Sequence, residues 1–391
     1  MRRHWVTVLK LLLVAALMAF VFANVQWKDS VGRGAEVTEG KIVGPWDGTE
    51  VQFRRRLADG SLGPEESITP SPPDVVVSPG FPTYLVNLDW AYFAIGALCY
   101  AFSVVFAGSR WWWLLRVNEL RVSWLDAQRF TWIGTFFNNI VPGQTGGDLV
   151  KAIYIVKHSE GGRVPALVSV LVDRILGLGS LALLGAIMVL FTLDRPGFDL
   201  IAYGIWGVLG IVAVAGLVAF SKRLRRLVHL DDLLNLLPAG LSGILKRVDQ
   251  AVYFYRGHKG GIGLWLLLGM LNHVVSVTSV MLVGRALGVG MADFDYFVLV
   301  PVIQIVSAFP IGPNGWGVGE ALYRYLFGEF GAAQLADVPR ATATFIMGTR
   351  GVALSVLYRI HLTLWSLLGG LLILFGKDRV TREDLEQEVD L

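Results

Sequence analysis

The strongest constraint on this chain is a series of apolar segments long enough to cross a membrane. They fall at about 5–23, 90–106, 164–193, 200–220, 261–283 and 341–375. A helix rises ~1.5 Å per residue and a hydrocarbon core is ~30 Å thick, so ~20 residues suffice for a crossing. Backbone groups in lipid have no water to bind, and a helix satisfies them within the segment itself. The last segment exceeds one crossing and must tilt, break or extend beyond the bilayer. Composition agrees, since 54% of residues are hydrophobic and 17% are charged. A soluble domain carries about 25% charge, so a soluble fold is excluded. Two further apolar stretches, 130–141 and 297–309, run to about a dozen residues and end at prolines, which is too short to cross.

The segment 5–23 follows Arg2 and Arg3, the flank of a signal peptide, but Val25-Gln26-Trp27-Lys28 is a poor cleavage context. It reads as a retained first span within 1–26, with Lys10 snorkelling or facing protein. Residues 27–87 differ in kind. They carry Pro45, Pro64, Pro70 and Pro72, short alternating runs such as Glu50-Val51-Gln52-Phe53, and turns at 44–48 and 58–60. That pattern predicts a small β-hairpin module that leans on the membrane or bundle.

Sidedness follows from Lys and Arg in short loops. The stretch 221–260 holds Lys222, Arg223, Arg225, Arg226, Lys246, Arg247, Arg256 and Lys259 against Asp231, Asp232 and Asp249. It reads as a cytoplasmic loop with a basic amphipathic surface helix that meets anionic lipid of the inner leaflet. The 107–129 loop, with Arg110, Arg116, Arg121 and Arg129, and the tail 377–391 agree with it. The 27–87 module has nine acidic residues against six basic ones and falls outside. The expected fold is an all-α polytopic membrane protein. It has six spans, both termini cytoplasmic, two re-entrant helical hairpins in an inverted repeat, and a small extracytoplasmic β module. The first repeat covers 88–220 with a hairpin at 130–157, and the second covers 261–376 with a hairpin at 296–329. Trp111-Trp112-Trp113 reads as an interfacial aromatic anchor.

The repeat rests on two breaks of the same order. In the first, Pro142 and Gly143 precede Gly146, Gly147 and Asp148; in the second, Pro310, Gly312, Gly315, Gly317 and Gly319 precede Glu320. A long apolar helix follows each, carrying Asp173-Arg174 in one case and Arg350 in the other. Proline lacks an N–H and disfavours helix before it, and glycine permits left-handed backbone. Broken helices near the midplane recur in secondary transporters, where half-helix N-termini suit an anion. Two ordinary loops between short helices are the plainer alternative.

The run Phe136-Phe137-Asn138-Asn139-Ile140-Val141-Pro142-Gly143-Gln144-Thr145-Gly146-Gly147-Asp148, then Leu171-Val172-Asp173-Arg174, Pro310-Ile311-Gly312 and Gly317-Val318-Gly319-Glu320, resembles the lysylphosphatidylglycerol synthase transmembrane-region family. This is the flippase-like half of the bacterial multiple peptide resistance factors, and the resemblance covers roughly 88–376. It implies translocation of a lipid or lipid-linked substrate. Two departures stand out: no aminoacyl-transferase domain follows the last span, which argues against lysine transfer, and the 27–87 module lies outside the pattern.

Ionisable residues within membrane segments cost at least ~2.5 kcal/mol at a helix centre, so they face a cavity or a partner. Arg174 and Arg350 are candidates for a lipid phosphate, because a guanidinium fork matches its oxygens. Asp148 and Glu320 would balance these arginines or carry protons, and Asp173 would orient its neighbour; two structural ion pairs are the alternative. Asn138, Asn139, Gln144, Thr145 and Asn314 would bind headgroup hydroxyls or satisfy freed backbone groups. His273 is a proton relay or a packing histidine, and Tyr358, Arg359 and His361 form a polar belt in the last helix.

Cys99 is the single cysteine and the six histidines are scattered, so no disulfide framework, metal site or cofactor is expected. No catalytic signature or Walker loop occurs, and no nucleic-acid partner is expected. The leading reading is therefore a flippase or transporter of a phospholipid or polyprenyl-phosphate-linked lipid in a bacterial-type cytoplasmic membrane. An enzyme acting on a lipid phosphate and a small-molecule secondary transporter are the alternatives. Headgroup, coupling ion, direction and oligomeric state are not legible in the sequence.

Overall fold

The computed structural model describes residues 25–33, 36–71, 74–140, 146–158, 163–195, 197–227, 255–308 and 317–375, with isolated positions 19, 229, 242 and 246. The expected first span, most of the basic loop, the tail and the prolines of both breaks lie outside these residues. Five described helices are long and apolar enough to cross a membrane: α2 (Trp90–Val117), α5 (Arg163–Val189), α6 (Asp199–Phe220), α8 (Lys259–Ala286) and α11 (Arg340–Phe375). Shorter helices separate them: α1 (Phe81–Val86), α3 (Trp124–Ile140), α4 (Gly146–His158), α7 (Lys222–Leu227), α9 (Asp293–Ser307) and α10 (Val318–Gly331). Helix α11 is one element of 36 residues, ~54 Å long, so it must tilt or project beyond a ~30 Å core. The chain divides into two compact units, residues 1–99 with 277–362 and residues 100–276 with 363–391.

The first unit opens on a five-stranded antiparallel sheet in the order β4-β3-β2-β1-β5. Its strands are β1 (Asp29–Arg33), β2 (Glu36–Val43), β3 (Val51–Arg56), β4 (Leu62–Ile68) and β5 (Val75–Ser78). Alternation builds its core, since successive side chains point to opposite faces. Val51 and Phe53 are buried while the alternating Gln52 and Arg54 are partly exposed, and Phe53 lies opposite Ile42. Val31, Ile68 and Val77 complete the cluster, so the expected hairpin is part of a larger sheet with its own core. Buried Asp29 ties the sheet to the chain that follows. Its carboxylate accepts from Ile42 N–H at 2.6 Å, Gly80 N–H at 2.6 Å and Thr83 Oγ1 at 2.9 Å. On its other side the module packs Val76 of β5, alongside Leu335, against Ala332, Val338, Ala343 and Ile346. Gly96 of α2 lets α8 approach closely, and Ser279 Oγ donates to its carbonyl at 2.7 Å.

The regular elements described in the second unit are all helices. Ser123 precedes helix α3, and its Oγ accepts from Asp126 N–H in the first turn at 3.1 Å; the helix packs against α4. The crossing is tight at Gly134 and Gly147, where a Cβ on Gly147 would collide with the Gly134 carbonyl. The tryptophan triplet departs from the expected anchor because α2 continues through it. Trp111 is fully buried and donates to Ser169 Oγ at 3.2 Å, Trp112 donates to the Val122 carbonyl, and Trp113 packs on Trp265. Arg110, expected in a loop, is likewise inside α2 and buried.

Candidate functional site

Two acid–arginine pairs sit at corresponding places in the chain. Asp148 is the third residue of α4 and accepts from Nε of Arg174 on α5, the next long helix. Glu320 is the third residue of α10 and accepts from Nε of Arg359 on α11, again the next long helix. An acid in the first turn also faces the partial positive charge of the helix N-terminus.

The pairs differ in environment. The Arg174 side chain is 34% exposed and that of Asp148 16%, whereas Arg359 and Glu320 are at 10% and 0%. Glu320 is held from several sides: Oε2 accepts from Gly317 N–H at 2.6 Å and Oε1 also accepts from Ser355 Oγ at 3.2 Å. Gly317 takes φ +84°, the left-handed region that favours glycine. Gly319 clears the way for the guanidinium, because a Cβ there would collide with Arg359. At the first pair, Asn138 Oδ1 accepts from Gly147 N–H at 2.9 Å, so the asparagine satisfies freed backbone. Asn139 Nδ2 donates to Thr135 O at 3.4 Å within its own helix. Gly146 and Gly147 belong to the first turn of α4 rather than to the break.

Asp173 does not orient Arg174. Neighbours on a helix point ~100° apart, and Asp173 accepts from Nε of Arg110 at 2.7 Å, both side chains being buried. The Arg110 guanidinium lies against Gly177, whose carbonyl accepts from His273 Nε2 at 3.0 Å. His273 thus packs by a hydrogen bond beside a buried ion pair.

Arg350 does not meet Glu320. It donates to the Val289 carbonyl at 3.1 Å and lies 5.2 Å over the Trp46 ring of the β module. Trp46 in turn packs edge-on against Tyr84 at 5.3 Å, where burial pushes the Tyr84 hydroxyl up. Arg350 and Arg359 are nine residues apart, so they project from opposite faces of α11 and ~13 Å apart along its axis. The spacing that singles out Arg350 selects the wrong face for Glu320. Gln144, Thr145, Asn314, Pro142, Gly143, Pro310, Gly312 and Gly315 lie outside the described residues. Sequence reasoning gives no pairing role to Arg110 or Arg359. Arg110 is masked by an apparent loop, and Arg359 by the Tyr358–His361 belt, whose rings meet edge-on with centroids 4.7 Å apart. Among the described residues no cluster of His, Cys, Asp and Glu is arranged to hold a metal ion.

The fold and these ion pairs define a polytopic helical membrane protein with charges built into its long apolar helices. The chain belongs to the family described as lysylphosphatidylglycerol synthase TM region, whose model matches residues 80–370. It is also similar to a UPF0104 membrane protein of Pyrococcus horikoshii, 24% identical over 312 residues, covering 74% of this chain and 88% of that one. No solved structure matches it significantly. Family membership gives the protein a membrane lipid-related function.

Proposed function

We propose that the protein moves a phosphate-bearing lipid, a phospholipid or a polyprenyl-phosphate-linked lipid, between the leaflets of a cytoplasmic membrane. The observation that carries this reading is the Asp148–Arg174 pair. It is an ion pair between the short helix α4 and the long apolar helix α5 that leaves a third of the arginine side chain exposed. A charge in such a place faces a cavity or a substrate path by default. Asp148 neutralises Arg174 when no lipid is bound, and an arriving phosphate competes for the guanidinium fork. The closed Glu320–Arg359 pair holds the first turn of α10 against α11 and gives the second half a rigid frame. The helix pairs α3–α4 and α9–α10, each member 13 to 17 residues long, act as re-entrant hairpins. Their entry from opposite membrane faces rests on the charge distribution of the loops. No bond is made or broken in this reading, which separates it from a lipid-phosphate enzyme.

The test is transport of a labelled phospholipid by Arg174→Ala and Arg174→Lys in vesicles. The alanine variant should lose transport at least tenfold while remaining folded, and lysine should restore part of it, because an ammonium lacks the fork. Wild-type transport by Arg174→Ala would refute the assignment.

A further inference from the structure

Helices α5, α6 and α8 of the second unit border a groove of about 630 Å³. Its walls carry Leu183 of α5, Val212 of α6 and Leu266 of α8; among the described residues they are uncharged up to one end, where Ser221 and exposed Lys259 stand. Glycines shape it. A Cβ on Gly179 would touch Leu266 at 3.3 Å and Val212 at 3.4 Å, so the floor is closed there. At Gly216 and Gly263 an added Cβ would meet nothing within 4 Å, so the groove is open there.

Length and charge together point to an occupant. The lining residues Leu209 to Ser221 run along α6, ~18 Å of helix, close to the ~15 Å depth of one leaflet's hydrocarbon. Lys259 stands at the polar end, and Arg223 and Arg226 follow Ser221 with exposed side chains. Among the described side chains of 221–227 and 257–259 none is acidic, so the charge described at this end is positive. Anionic lipid headgroups are drawn to such cations, and an acyl chain gains with each methylene it removes from water. We propose that this groove is a binding site for one acyl chain of an anionic phospholipid, with the lipid phosphate on Lys259. The site is separate from the Asp148–Arg174 pair, and a lipid held here does not have to be the one transported.

The full chain is reconstituted in phosphatidylcholine vesicles containing a small fraction of phosphatidylglycerol with a photoreactive group midway along one acyl chain. A phosphatidylcholine probe of the same design is the comparison. The phosphatidylglycerol probe should label peptides of α5, α6 and α8 several-fold more than the comparison probe does. Gly216→Leu and Gly263→Leu fill open space at helical positions, so they should leave thermal stability unchanged and cut that labelling several-fold. Lys259→Gln should reduce phosphatidylglycerol labelling to the phosphatidylcholine level. The proposal is overturned if labelling merely tracks the lipid exposure of each span. It is equally overturned if the two headgroups label alike, or if the leucine variants label as the wild type does. None of these outcomes bears on transport by Arg174 variants.

Discussion

Removing Arg359 takes away the one cation among the described hydrogen-bond partners of Glu320. That carboxylate is fully buried, and of those partners it would keep Gly317 N–H and Ser355 Oγ. Breaking one side of a buried ion pair costs ~3–5 kcal/mol, whereas replacing both sides by neutral groups costs far less. At ~2.1 cal/mol/K per residue, the unfolding entropy of a chain this long is ~0.8 kcal/mol/K, so the loss corresponds to a fall of ~4–6 °C in Tm. Arg359→Met and Glu320→Gln should each show such a fall in detergent, followed by tryptophan fluorescence on heating. The double variant should recover more than half of the summed loss, because neither charge is left buried alone. Additive losses, or an Arg359→Met variant with wild-type Tm, would refute the claim that this pair fixes the first turn of α10.

Three further outcomes are expected. With Cys99 replaced by serine, cysteines at exposed Ser61 and Leu227 should react with a membrane-impermeant reagent from opposite sides of the membrane; labelling of both from one side would overturn the topology. Gly147→Val should destabilise the α3–α4 contact by ~1–3 kcal/mol, since neither backbone can yield, and this is read as a lower Tm. The control Gly204→Val, where an added Cβ meets nothing within 4 Å, should be near neutral. Asp29→Ala should leave Ile42 N–H and Gly80 N–H without their carboxylate at ~1–3 kcal/mol each, making the β module sensitive to protease while Asp29→Asn remains more resistant.

Much of the architecture is legible in the sequence because hydrocarbon imposes simple rules. Five of the apolar segments are long helices, and Val51 and Phe53 announce a strand by alternation. What the sequence hides are choices made in three dimensions. Charge counting puts Arg110 in a loop, yet Trp111 packs on α5 and the helix runs through both. Order along the chain joins Glu320 to Arg350, but the faces of α11 assign that acid to Arg359. The sheet extends beyond a hairpin because β5 pairs with β1 across more than forty residues, a pairing that local turn signals do not encode. Asn138 illustrates the limit of residue type, since an asparagine beside a helix break serves ligand or backbone equally well and only its bond to Gly147 N–H distinguishes them.

In the proposed function a phosphate-bearing lipid crosses the membrane unchanged, and Arg174 contacts it on the way. Wild-type protein and Arg174→Ala are reconstituted into vesicles with a headgroup-labelled phospholipid, and exposure of the label to an impermeant quencher is followed over time, with product analysis of the recovered lipid. Wild-type vesicles should exchange label between leaflets well above protein-free vesicles, Arg174→Ala should fall at least tenfold, and the lipid should be recovered chemically intact. Exchange no faster than in protein-free vesicles across phospholipid and polyprenyl-phosphate substrates, or recovery of an altered lipid, would contradict the proposed function.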